Sequence, residues 1–334
     1  MITVRILKKL FCLLIAILIL TSCNNSETEI TTALPETTSE SEVITTPEPV
    51  FPEEITSSEE QAVNNSDNGR EFFGRIDPDS KTFSGLTPLD TIEFALTGDY
   101  DGFSKKMISH SYGVAKNEVP HTISTENQQF FDSGDYDALC LDSKSNSKVL
   151  YLTFDCGYEN GYTSKILDTL KDKNVSAAFF CTLPQVKDNS EIIARMINEG
   201  HIVGNHSVNH PDFSTLNKND IISELKVFDD YLRTEFGYSS LYFRFPQGKY
   251  SEYSMKIIND MGYKCIFWSL AYADWDLSSQ KGEKYAHDTV MERIHPGAVI
   301  LLHAVSPDNA NALGDIIDSC REMGYEFKSL NELN

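Results

Sequence analysis

The chain has 334 residues, 40% of them hydrophobic, enough for one sizeable core with segments left over. Its 28 basic and 50 acidic residues give a formal net charge of −22, which argues against nucleic acid or other anionic phosphate partners. Half of that excess lies in residues 24–69, which hold eleven acids and no Lys or Arg, so the rest of the chain is only moderately acidic.

At the N-terminus, Arg5, Lys8 and Lys9 precede an apolar run of 11 residues, Leu10 to Leu20, too short for a mature membrane span and suited to an export signal. The run ends in Leu20-Thr21-Ser22-Cys23, which resembles a bacterial lipobox. The expectation is a lipoprotein signal peptide over 1–22, with Cys23 lipidated and tethering the protein to the extracytoplasmic face of the cell membrane. Residues 23–69, rich in Ser, Thr and acids with four prolines, cannot bury enough apolar surface to offset their ordering entropy and read as a disordered linker. Residues 70–147 show no persistent period. Short helices are expected at Thr91–Leu96 and Thr125–Phe131, and the segment reads as an N-terminal extension packed on the domain formed by residues 148–334.

From Val149 onward, β-branched or aromatic runs alternate with helical patterns. The runs are Val149 to Phe154, Ala177 to Cys181, Ile202 to Gly204, Leu241 to Phe245, Cys265 to Leu270, Ala298 to Leu302 and Tyr325 to Phe327. Amphipathic segments fall near 163–173, 189–199, 217–236, 251–261, 284–294 and 309–323. In the third, Ile221, Ile222, Leu225, Phe228 and Leu232 recur at helical spacing, while Asp220, Glu224, Lys226 and Asp230 take the other face. Strands each followed by a crossover imply a parallel α/β sheet of about seven units. Cys140, Cys156, Cys181, Cys265 and Cys320 form no CxxC pair and give no sign of a disulfide framework; Cys181 and Cys265 lie in apolar runs as buried thiols.

Polar residues stand where these strands run out, the place where catalytic groups of a βα-barrel gather. His206 and His210, four apart, would share one side of a helical turn and suit one divalent metal, Zn most readily. The plainer alternative is two histidines decorating a loop before Pro211. Asp155 ends the first strand as a group in the barrel mouth or as an N-cap of the next helix. Arg244, Asp274 and His303 have plain readings too, as an ion-pair partner, a turn former and a core histidine.

Read together, Thr153-Phe154-Asp155-Cys156-Gly157, His206-Ser207-Val208-Asn209-His210, Arg244-Phe245-Pro246, Asp274-Trp275 and Leu301-Leu302-His303 resemble the five motifs of the polysaccharide deacetylase (NodB-homology) family. The Phe154–Thr163 segment, with Asp274-Trp275 and Gln280-Lys281-Gly282, resembles its PdaA-like branch, associated with removing acetyl groups from muramic acid in peptidoglycan on the way to muramic δ-lactam of spore cortex. The resemblance implies a distorted (β/α)7 barrel of NodB-homology type over 148–334. It implies Asp155 as general base paired with Arg244, His303 as general acid oriented by Asp274, and His206 and His210 as ligands of a divalent metal, Zn by preference. Where most members have a second, metal-binding aspartate this chain has Cys156, either a thiolate ligand or, as preferred here, a spectator. Tyr158, Tyr162, Trp275 and Pro246 are the expected substrate contacts, the aromatic rings stacking on sugars or simply packing at the rim. The expected partner is a peptidoglycan glycan strand, met by a monomer. N-acetylglucosamine in peptidoglycan or a chitin-like glycan, O-acetyl xylan, and binding without turnover are the competing readings.

Overall fold

A computed structural model describes residues 76–144 and 147–333 of the chain; the segments expected to be a signal peptide, a lipidated Cys23 and a disordered linker lie outside the described residues. The extension contributes β1 (Ile108–Ser109), α1 (Thr122–Ser133) and β2 (Ala138–Leu139). Then come β3 (Val149–Cys156), α2 (Thr163–Lys173), β4 (Ala178–Cys181), α3 (Leu183–Asp188), α4 (Ser190–Asn198), β5 (Ile202–Asn205), α5 (Lys218–Phe236) and β6 (Tyr242–Phe243). The chain continues through β7 (Lys249–Tyr250), α6 (Glu252–Asp260), β8 (Lys264–Ile266), α7 (Glu283–Arg293), β9 (Ala298–His303), α8 (Pro307–Glu322) and β10 (Glu326–Phe327).

Each of the seven apolar runs forms a strand, and all pair in parallel as the crossovers require. The order is β10-β3-β4-β5-β6-β8-β2, with β9 on the other side of β3. The sheet curls back on itself: Leu270, beyond β8, bridges Ile300 of β9. At the opposite end the gap is taken by the extension, where β2 pairs in parallel with β8 and Leu141 bridges Ala298. The α/β barrel therefore includes a strand from outside the seven repeating units.

The helices stop and start on local signals. Asn217 caps α5 by accepting from the Asp220 N–H at 3.0 Å, Ile221, Leu225, Phe228, Leu232 and Phe236 form its buried stripe, and Gly237 ends it at φ 62°. A side chain at Gly237 would stand 2.3 Å from the Thr87 carbonyl, so this glycine also admits the extension against the helix end. Ser251 and Ser254 close a capping box on α6, and Ser306 caps α8 ahead of Pro307.

The helix expected at Thr91–Leu96 does not form. Its backbone groups are spent on α5 instead: the Ile92 N–H donates to Asp230 Oδ1 at 2.9 Å and Lys218 Nζ donates to the Leu96 carbonyl at 2.9 Å, while just upstream the Leu89 N–H donates to the Arg233 carbonyl at 2.9 Å. The helix expected at Thr125–Phe131 is present and longer, as α1. All five cysteines among the described residues are free and buried.

Candidate active site

Alternation along β3 divides its side chains. Leu150, Leu152, Phe154 and Cys156 join the core between sheet and helices, while Val149 and Tyr151 fill the interior of the curled sheet. Thr153 and Asp155 continue that inner row to the carboxyl end of the strand. Thr153 Oγ1 donates to the Ile300 carbonyl at 2.6 Å and accepts from Arg244 Nη2 at 2.8 Å, so it fixes the floor beneath Asp155.

Arg244 follows β6 and is 0% exposed. Its Nε donates to the Ile266 carbonyl at 2.9 Å, Nη1 to Asp155 Oδ1 at 2.8 Å and Nη2 also to the Phe267 carbonyl at 3.3 Å, with the guanidinium carbon 4.1 Å from the Phe180 ring centre. Burial alone would raise the Asp155 carboxyl, but the charge of Arg244, helped by His206 and His303, outweighs it and leaves Asp155 below the usual carboxylate range. Removing either partner of such a pair strands a buried charge, at a cost of about 3–5 kcal/mol.

His206 directly follows β5. Its Nδ1–H donates to the Arg244 carbonyl at 2.9 Å, which fixes the tautomer and leaves the Nε2 lone pair 3.5 Å from Asp155 Oδ2. Burial pushes its imidazole down to about 4 and lowers His210 too, so both are neutral near pH 7. The His206 and His210 rings stand 4.9 Å apart at 76°. The expected helical turn is absent: Ser207 and His210 sit at φ 73° and 55°, and the segment is an irregular loop. Two local bonds and two from α5 hold it. Asn205 Oδ1 accepts from Ser207 N–H at 2.8 Å, Ser207 Oγ from His210 N–H at 2.9 Å, and Glu224 of α5 from Val208 and Asn209 N–H at 3.0 and 2.9 Å.

His303 ends β9, and its register partner on β3 is Asp155. Asp274 accepts from the His303 N–H through Oδ2 and pairs with Nδ1 through Oδ1, both at 2.7 Å. Burial would lower the His303 imidazole, but its bond to Asp274 and that residue's charge override this and raise it, keeping a proton available. Asp274 is itself positioned by Asn309 Nδ2, which bonds its Oδ2, and by Gln280 Nε2, which donates to its backbone carbonyl at 2.8 Å.

Asp155, Arg244, His206 and His210 thus meet across one mouth, with His303 at the end of the adjoining strand β9 and Asp274 reaching it from the loop after β8. Tyr158 and Trp275 are 53% and 59% exposed, Tyr162 packs partly on the helix-side core, and Pro246 is buried. Of the two roles expected for Cys156, spectator and thiolate ligand, its surroundings favour the first. Its thiol is fully buried in the core on the face opposite Asp155, beside Cys181, and that contact together with burial pushes it far above the usual thiol range. A thiol so disposed is a poor metal donor. Sequence reasoning placed Glu224 on a solvated face and passed over Asn205 and Asn309; only Gln280 had a signal, in the Gln280-Lys281-Gly282 motif.

Two neutral imidazoles beside a carboxylate, one with its second nitrogen tied to a carbonyl, suit a divalent metal such as Zn. Among the described residues no group of three or more His, Cys, Asp or Glu side chains is placed to hold a metal ion, so the two imidazoles of His206 and His210 are the donors on which a metal here would depend.

A family model described as polysaccharide deacetylase matches residues 142–266, which include Asp155, His206, His210 and Arg244. The chain is 47% identical over 199 residues to the peptidoglycan-N-acetylmuramic acid deacetylase PdaA of Bacillus subtilis, covering 59% of this chain and 75% of that one. It is 31% identical over 193 residues to a peptidoglycan-N-acetylglucosamine deacetylase of Bacillus cereus, covering 55% and 68%. The solved structure of Bacillus subtilis PdaA, a family 4 carbohydrate esterase, superposes with a TM-score of 0.64 at 42% identity, over 69% of this chain and 97% of that one.

Proposed function

The chain belongs to the polysaccharide deacetylase family, hydrolases of carbon–nitrogen bonds, and on that premise we propose that it removes the acetyl group from N-acetylmuramic acid residues of peptidoglycan. The observation that carries this reading is a base and an acid on neighbouring strands, Asp155 and His303, in a chain 47% identical to the muramic acid deacetylase of Bacillus subtilis. The amine released on muramic acid lies beside that sugar's lactyl carboxyl, so deacetylation is the chemical prerequisite for a δ-lactam. The Leu10–Leu20 run and Cys23 support export and a lipid anchor, which would hold the enzyme against wall polymer.

Asp155, held ionised by Arg244, takes the proton of the attacking water. His206 and His210 would hold a divalent metal, which supplies Lewis-acid polarisation of the acetyl carbonyl and of water when bound. His303, protonated against Asp274, delivers a proton to the departing amine. Exposed Trp275 and Tyr158 offer flat apolar faces for sugar rings.

The likeness to the Bacillus cereus enzyme favours N-acetylglucosamine as the second reading. One assay separates them: purified protein with Zn is incubated with peptidoglycan, intact or stripped of stem peptides, and products are identified by mass spectrometry. Free amine or lactam on muramic acid is expected. Deacetylation of glucosamine alone would replace the first reading with the second, and no deacetylation of any glycan by the folded, metal-supplied protein would end both.

A further inference from the structure

Within the deacetylase reading, on which this inference rests, we propose that His110 and Tyr112 of the N-terminal extension are positioning residues that hold the loops carrying Arg244 and Asp274 at a fixed spacing. The extension reaches the active-site side of the barrel through β1, which pairs antiparallel with β7, just beyond the Arg244-Phe245-Pro246 motif. From there His110 bonds in two directions. Its backbone N–H donates to the Gly248 carbonyl at 2.8 Å, and its Nε2 lies 2.8 Å from the Trp268 carbonyl. That acceptor requires the proton on Nε2, and burial pulls the imidazole down to about 4, so this neutral tautomer persists at working pH. Nδ1 is buried with no partner, which leaves the ring held by the Trp268 bond and by packing.

The packing leads straight to Arg244. The His110 ring stands 4.7 Å from Phe267 and 4.9 Å from Trp268. The Phe267 carbonyl accepts from Arg244 Nη2, and the Trp268 ring lies 5.7 Å from the guanidinium carbon. Gly248, at φ 64°, is what allows the approach: a Cβ there would come within 2.9 Å of Trp268 and 3.2 Å of His110. Two residues on, Tyr112 Oη donates to the Ala271 carbonyl at 3.0 Å, three residues before Asp274. One short segment therefore ties the loop after Arg244 to both ends of the stretch Trp268–Ala271, while touching neither Asp155 nor His303. Losing it would let the base and acid halves drift, and misplacement of about 1 Å can cost about 10²-fold in rate.

The test compares wild type with His110→Ala, His110→Gln and Tyr112→Phe in the peptidoglycan assay, with thermal unfolding of each. Gln can return the N–H that Nε2 supplies. His110→Ala should lower kcat about tenfold or more with KM within about twofold, His110→Gln should recover most of the loss, and Tyr112→Phe should lower kcat several-fold. Full kcat in His110→Ala, or His110→Gln no better than His110→Ala, overturns the proposal. If His110→Ala does not fold, Tyr112→Phe decides: wild-type kcat there overturns it. A second readout needs no substrate. The chain has two tryptophans, so Trp275→Phe leaves Trp268 as the sole emitter. In that background His110→Ala should shift the emission and His110→Gln restore it; unchanged emission sinks the clamp, whereas an inactive wild type with shifted emission sinks only the deacetylase reading.

Discussion

The two halves of the site are built from opposite charges to opposite ends. On β3, an anionic group meets a buried cation, Arg244, and is held deprotonated; on β9, a basic group meets a buried anion, Asp274, and is held protonated. Burial alone would drive both groups toward their neutral forms, so in each half the partner is what reverses the environment. Asp155 and His303 are register partners on adjacent strands, yet each answers to its own counter-charge. A base and an acid can thus coexist at one pH a short distance apart.

The largest disruption is removal of the base: Asp155→Asn should lower kcat by about 10³-fold, measured as free amine released, with the far-ultraviolet circular dichroism unchanged. Next comes the metal. Chelation should abolish turnover, Zn should restore it, and His206→Ala should bind Zn weakly enough by calorimetry that restoration fails; full activity after exhaustive chelation would refute the two-imidazole assignment. On the other half, Asp274→Asn should cost about 10²-fold and move the pH profile. The sign follows from the raised His303 imidazole. Its acid form persists until pH rises through the folded value, so without Asp274 the basic limb of kcat/KM should fall to lower pH. The same pair stabilises the fold fully below the ordinary imidazole range and loses that contribution as pH rises through the folded value. The smallest effect belongs to the far face of β3, where Cys156→Ala should change kcat by less than about twofold and lower the melting temperature modestly, since it removes only packing. A large loss of Zn affinity in that variant would restore Cys156 as a ligand.

The parts of this molecule that announce themselves in sequence are those governed by neighbours in the chain. The long apolar run ending in Asp155 forms β3, and the 3.6-residue stripe from Ile221 forms α5, because periodicity alone determines which face is buried. What stayed hidden depends on partners far away in sequence. Two residues, Ala138–Leu139, make a strand only because β8 offers them an edge, and a two-residue strand has no period to read. Thr91–Leu96 has a helical look that loses to α5's demand for its backbone groups. The His206–His210 spacing suggested a helix, but Glu224 of α5 takes the Val208 and Asn209 N–H groups and holds the segment as a loop with left-handed backbone at Ser207 and His210. Glu224 looked solvated because nothing local shows what approaches it. The chemical motifs themselves were legible, since residue type and strand-end position survive without knowledge of the loops.

The seam filled by β2 makes the fold's assembly depend on its beginning and end together. The Asp142 N–H donates to the Gly297 carbonyl at 2.9 Å, joining pieces of chain separated by nearly the whole catalytic region. The earliest-synthesised strand of the barrel waits for nearly the last before its second edge is covered, the kind of long-range pairing that slows folding and leaves β-edges open meanwhile. A nascent chain halted before Gly297 would therefore carry a bare sheet margin, sticky toward its own kind.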